Sequence, residues 1–150
     1  MKIKIISITE PKYKYTGEIS SYNKQKLAVL TEPLQCKIEF IYANRNKIID
    51  IIVPIGFITD FGSIPVFAQK MVNPRGKSDS AFIVHDWLCI TEIYKSSIRD
   101  SILYKLMKCS GTRTSECVFA YIGVRCFAMF DSCRMIIESN VHLINQSKNE

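Results

Sequence analysis

The sequence predicts an α+β fold, with antiparallel strands and hairpins first and about three packed helices after them. Three observations predict it. Up to residue 53 the chain holds stretches of alternating polar and apolar residues, and a period of two marks a strand with one wet face. From residue 78 the apolar residues recur at helical spacing instead. Strands that precede helices, rather than alternating with them, build segregated layers. A length of 150 residues suits a single domain with one core. It divides into a strand-rich part (1–60), a loop (56–77), a helical part (78–139) and a frayed tail (140–150).

"KIKIISI", residues 2 to 8, opens the sheet. Residues 10 to 33 carry the breakers Pro11, Gly17 and Pro33, with one short strand near residues 27 to 31. "CKIEFIYA" and "KIIDIIVP" alternate again, and "NRN" between them suits a tight turn, so residues 36 to 53 read as a hairpin. Residues 56 to 77 read as a structured loop in which Gly62 allows unusual dihedrals and Pro65 fixes a turn. Ser78 or Asp79 can cap a helix that runs to about residue 94. Ser96 or Ser97 can cap a second, which stops at Gly111. Thr112 or Thr114 opens a third, to about residue 139, with Glu116 placed well for the helix dipole.

Composition bounds the function classes. The hydrophobic fraction of 47% and charged fraction of 23% are those of a globular chain, not a disordered one. Twenty Lys and Arg against 14 Asp and Glu give a net charge of +6, scattered rather than clustered. No arginine cluster or aromatic–basic alternation accompanies it, so nucleic acid is not the expected partner. The longest apolar run, residues 117 to 130, is interrupted by Arg125 and falls short of the roughly 20 residues of a membrane helix. The N-terminus lacks an apolar stretch of signal-peptide length. Six cysteines, Cys36, Cys89, Cys109, Cys117, Cys126 and Cys133, form no CxxC pair. Reduced, buried thiols in a cytoplasmic setting are therefore expected.

The chemistry concentrates in "SDSAFIVHDWLCI", residues 78 to 90. His85 and Asp86 are neighbours about 100° apart around a helix axis, so they cannot point the same way. The His85 face also holds Ala81, Phe82, Leu88 and Cys89. A histidine on so apolar a face needs a partner for its ring N–H. Asp100 on the second helix can supply it, provided the helices cross at a tilt or the first ends early. Straight antiparallel pairing would instead put Asp100 beside Glu92. In the preceding loop, Thr59, Asp60 and Ser63 can present oxygens to the same site. Trp87, the sole tryptophan, lies beside it. His142 reads as a surface residue.

"GFITDFGSIP", "AFIVHDWLC" and "SIRDSILYKLM" together resemble a family of small bacteriophage and prophage proteins of unknown function. That family's pattern is an aromatic-x-Thr-Asp-x-x-Ser-Ile-Pro loop, then His-Asp-Trp-Leu-Tyr, then a helix with Arg-Asp or Ala-Asp. The likeness spans roughly residues 50 to 130 and implies a phage origin. Cys89 stands where the family usually has tyrosine. A weaker, chemical resemblance is to calcium-dependent secreted phospholipases and the phospholipase domain of parvovirus capsids. It implies His85 activating water, Asp86 binding calcium and Asp100 orienting His85. The glycine-rich calcium loop of those enzymes is missing, and Asp60 with carbonyls near Gly62 would replace it.

Three functional expectations follow. The first is a hydrolase of ester or phosphoester bonds, with His85 and Asp100 catalytic and Asp86 and Asp60 holding a divalent cation, Ca or Zn. The second is a non-catalytic phage virion, tail or accessory protein in which His85, Asp86 and Asp100 form a buried structural network. Its partners would be other phage structural proteins or a host envelope component. The third is an inhibitor of a host protein.

Overall fold

The computed structural model describes residues 1–20, 24–61, 76–127 and 140–147. Among the described residues six strands come first: β1 (Lys2–Ile8), β2 (Tyr13–Ile19), β3 (Lys26–Leu30), β4 (Leu34–Ile41), β5 (Asn46–Val53) and β6 (Ile58–Thr59). The helices are α1 (Asp79–Thr91), α2 (Ser96–Cys109), α3 (Thr114–Phe127) and a short α4 (Val141–Ser147). The arrangement is α+β, as the change of period predicts.

The strands form two antiparallel sheets, ordered β1-β4-β5 and β2-β3-β6. In β4 the alternation is clean: Leu34, Cys36, Ile38 and Phe40 are buried while the residues between them are not. The β4–β5 hairpin pairs Leu34 with Val53 through to Ile41 with Asn46. On the outer face Lys4 meets Glu39 and Lys37 meets Asp50 across paired positions, at 3.8 and 3.5 Å. Exposed pairs of this kind contribute well under about 1 kcal/mol each.

Several expectations need correction. Residues 10 to 33 hold two strands, because β2 pairs with β3 along their length (Tyr13 opposite Leu30). β2 has weak alternation because it is an edge strand with little of its surface buried. The loop expected over residues 56 to 77 begins with the two-residue strand β6, which pairs Thr59 with Ala28 and Ile58 with Val29. The tail expected to fray includes α4. It is preceded by buried Asn140, whose side-chain amide accepts from the Ile58 N–H at 2.7 Å and donates to the Ile58 carbonyl at 2.8 Å. That amide acts as a one-residue strand partner for β6. The expected continuation of α3 to residue 139 lies outside the described residues.

The helix caps also differ. Ser78 occupies the N-cap position of α1 without a side-chain cap bond. Its hydroxyl shares a 2.8 Å bond with Thr112 instead. Lys95, not a serine, holds the N-cap position of α2. α1 stops at Thr91, short of residue 94, where Glu92 adopts a left-handed φ of 54° and its N–H bonds the Leu88 carbonyl. Thr91 contributes to this stop, its hydroxyl bonding the Trp87 carbonyl at 2.8 Å and competing with the helix ladder.

α1 is buried on nearly every side, from Asp79 through Leu88. Helices that are apolar all round belong inside. One side of α1 packs on α2, and others meet β4 and β5. Trp87 belongs to this core, edge-on to Phe57 at 5.5 Å.

Candidate functional site

The stop at Thr91 supplies the geometry that a His85–Asp100 contact requires. With α1 ending early, the first turns of α2 lie against His85, and Nε2 is 3.1 Å from Asp100 Oδ1. A carboxylate only accepts, so it selects the tautomer in which Nε2–H donates and Nδ1 carries the lone pair. His85 is 6% exposed and Asp100 3%. The other carboxylate oxygen of Asp100 faces Arg125 Nη1 of α3 at 3.5 Å. Arg125 is 44% exposed along its side chain, so it joins the buried pair to the surface. This Arg–Asp–His row spans three helices.

Cys89, one helical turn after His85, completes the group. Its sulfur lies 3.7 Å from Nδ1 and 3.8 Å from Nε2. It is partly exposed, the most accessible member of the row after Arg125. Arg99 reaches the carbonyl of Leu88, the residue before Cys89, at 3.5 Å. Its buried Nε has no hydrogen-bond partner among the described residues.

Asp86 points elsewhere, as its 100° offset from His85 requires. Its Oδ2 accepts from the Thr59 hydroxyl at 2.7 Å. The same Thr59 oxygen accepts the Phe61 N–H at 3.0 Å. That bond closes a tight turn around Asp60 and holds Phe61 at φ 62°, a left-handed conformation uncommon outside glycine. The strain is held by packing: Phe61 is fully buried and edge-on to Tyr13 at 4.9 Å. Asp60 is also fully buried, with Ser20 Oγ 3.5 Å from its Oδ2.

The chain thus brings His85 to Asp100, and Asp86 to Thr59 beside Asp60, as two separate clusters. Ser63 lies outside the described residues. His142 is exposed. Among the described residues no three His, Cys, Asp or Glu side chains converge as a metal-binding group. No helix among them is long and apolar enough to cross a membrane. Of the thiols, Cys36 and Cys117 are buried and Cys109 is exposed. Burial pushes the Cys36 thiol up to about 12.

Sequence reasoning missed four contributors. In the sequence Arg125 reads as a break in an apolar run; a cation inside an apolar helix is itself a signal of a buried anion. Cys89 is legible in the sequence on the His85 face and as a departure from the family pattern, but not as a reactive group. Asn140 gave no local signal. Neither did Tyr13, whose phenol donates to Asp79 Oδ2 at 2.6 Å and is made a weaker acid by burial and by that bond. Tyr13 and Asp79 line a surface cavity of about 440 Å³ with Lys12 and Thr31. A second, of about 270 Å³, lies between Tyr104 and Tyr121, one turn along α2 and α3 from Asp100 and Arg125.

Residues 34–124 match the model of a family described as "Protein of unknown function (DUF1353)". The chain belongs to that family. No curated protein and no solved structure matches it.

Proposed function

We propose that this member of the DUF1353 family is a phage- or prophage-encoded hydrolase of ester or phosphoester bonds, with His85 as general base. The observation that carries the reading is the 3.1 Å contact between His85 Nε2 and Asp100 Oδ1. Asp100 is the positioning residue. It holds the ring orientation, leaves Nδ1 free to take a proton, and stabilises the imidazolium that results. Arg125 in turn holds the carboxylate from its other oxygen. The phage origin is supported by the "TDFGSIP" and "HDWLC" segments described above.

A divalent cation, Ca or Zn, would have Asp86 and Asp60 as its carboxylates. Asp86 bonds Thr59 of β6 and Asp60 follows that strand, on a different side of α1 from the imidazole, so a cation there would brace the loop rather than activate water for His85. Thermal unfolding with EDTA and with each ion, beside Asp86→Asn, tests it. An ion-specific rise in Tm that Asp86→Asn abolishes is the expected result.

A second reading has its own observation. His85, Asp86 and Asp100 are all more than nine-tenths buried, as in a polar network that fixes packing in a virion or accessory protein. A panel of p-nitrophenyl carboxylic and phosphate esters separates the two. Turnover by the wild type that His85→Gln removes supports the hydrolase. A folded wild type that cleaves none of them leaves the structural network.

A further inference from the structure

We infer that Cys89 is the nucleophile of this site, with His85 its base and Asp100 the positioning carboxylate, and that the substrates are acyl esters. The inference rests on the hydrolase reading and narrows its substrate class. Asp100 takes Nε2, so the ring nitrogen that remains basic is Nδ1. The group beside Nδ1 is the Cys89 thiol, at 3.7 Å. Nucleophile, base and orienting carboxylate are thus in sequence, the arrangement that activates weak nucleophiles. Burial is graded in the same order: Cys89 is partly exposed, while His85 and Asp100 are buried. Substrate therefore meets the sulfur first.

The thiol lies near the C-terminal end of α1, where the helix dipole disfavours an anion. Arg99 brings a positive charge to that same end, at the Leu88 carbonyl. A cation there offsets the dipole at that end. The sulfur is almost equidistant from the two ring nitrogens, which puts it off the in-plane lone pair of Nδ1, so the hydrogen bond is long and bent. Such bonds tighten when substrate binds.

The step balances as follows. The Cys89 proton passes to His85 Nδ1 as the sulfur–carbon bond forms at the ester carbonyl. The tetrahedral adduct expels the alkoxide, which takes the proton from His85. Water then attacks the thioester, gives its proton to His85, and the departing thiolate recovers it as the carboxylic acid leaves.

The full chain serves for the test, with exposed Cys109 as an internal control. Iodoacetamide should alkylate Cys89 about tenfold faster than Cys109, because a thiolate reacts and a thiol does not. His85→Gln should remove that excess. With p-nitrophenyl acetate, acid-quenched peptides should carry the acetyl group on Cys89 before Cys109. Slower alkylation and acylation at Cys89 than at Cys109 would overturn the inference, and this comparison needs only the wild-type fold. If Cys89→Ala keeps full esterase activity while His85→Gln loses it, the thiol is wrong and the hydrolase stands. If the wild type turns over no ester, the hydrolase reading fails, and the order of labelling still decides the thiol.

Discussion

On the side of α1 that faces α2, His85 meets Asp100, with Arg125 behind it and the Cys89 thiol at its edge. On the side that faces β6, Asp86 meets the Thr59 hydroxyl, with the Phe61 amide behind it and Asp60 enclosed by the same turn. The two residues are adjacent in sequence and equally buried. Their surroundings differ in kind. The first cluster holds a titratable base, a thiol that solvent reaches and a partly exposed guanidinium. The second is closed by hydroxyls and backbone, and its parts pin a strained loop. The contrast teaches that burial alone does not distinguish a site from a brace. What distinguishes them is whether a reactive group is left facing outward.

If the first cluster carries the chemistry, His85→Gln should lower ester hydrolysis about a thousandfold, the scale of lost general-base catalysis. Steady-state kinetics would check it. Asp100→Asn should lower kcat about a hundredfold with KM nearly unchanged, because it misorients the base without touching substrate. A change in KM alone would contradict that role.

The second cluster should break stability instead. Thr59→Val removes the donor to a buried carboxylate and the acceptor of the Phe61 amide. It should cost about 3 kcal/mol in urea unfolding, with activity per folded molecule retained. Asn140→Ala leaves the Ile58 backbone groups without their side-chain partner and should cost about 2 kcal/mol by the same measurement.

The smallest effect is a pH dependence outside both clusters. Cys36 has its thiol raised from 9.0 to about 12 by burial. Above pH 9 the unfolded chain releases this proton while the folded chain keeps it. Stability is therefore complete below pH 9 and falls as pH rises toward 12, by at most about 1.4 kcal/mol per pH unit. Tyr13 and Tyr94, both made weaker acids mainly by burial, act in the same direction. Between pH 8 and pH 10 the fall in stability should be about 1 kcal/mol smaller for Cys36→Ala.

Local sequence, through its periodicity and its turn and capping residues, predicts the strand-first, helix-later order, the β4–β5 hairpin and the starts of α1, α2 and α3. It does so because each of these depends on residues two to four apart. The opposed directions of His85 and Asp86 follow from helix geometry for the same reason. β2 and β6 escaped such reading because an exposed edge strand and a two-residue strand have too little buried surface to impose a pattern.

Partners are a different matter. His85 and Asp100 are separated by 15 residues, Thr59 and Asp86 by 27, Tyr13 and Asp79 by 66, and Asn140 and Ile58 by 82. No local period reaches across such spans. Local spacing allows the His85–Asp100 contact only if the helices cross at a tilt or α1 ends early, and three-dimensional packing places that end at Thr91. Composition and spacing marked which side chains must find a hydrogen bond once buried. Which groups answered them depended on how sheet, turn and helices closed around α1, because a buried polar atom is satisfied by whatever the fold brings within about 3 Å.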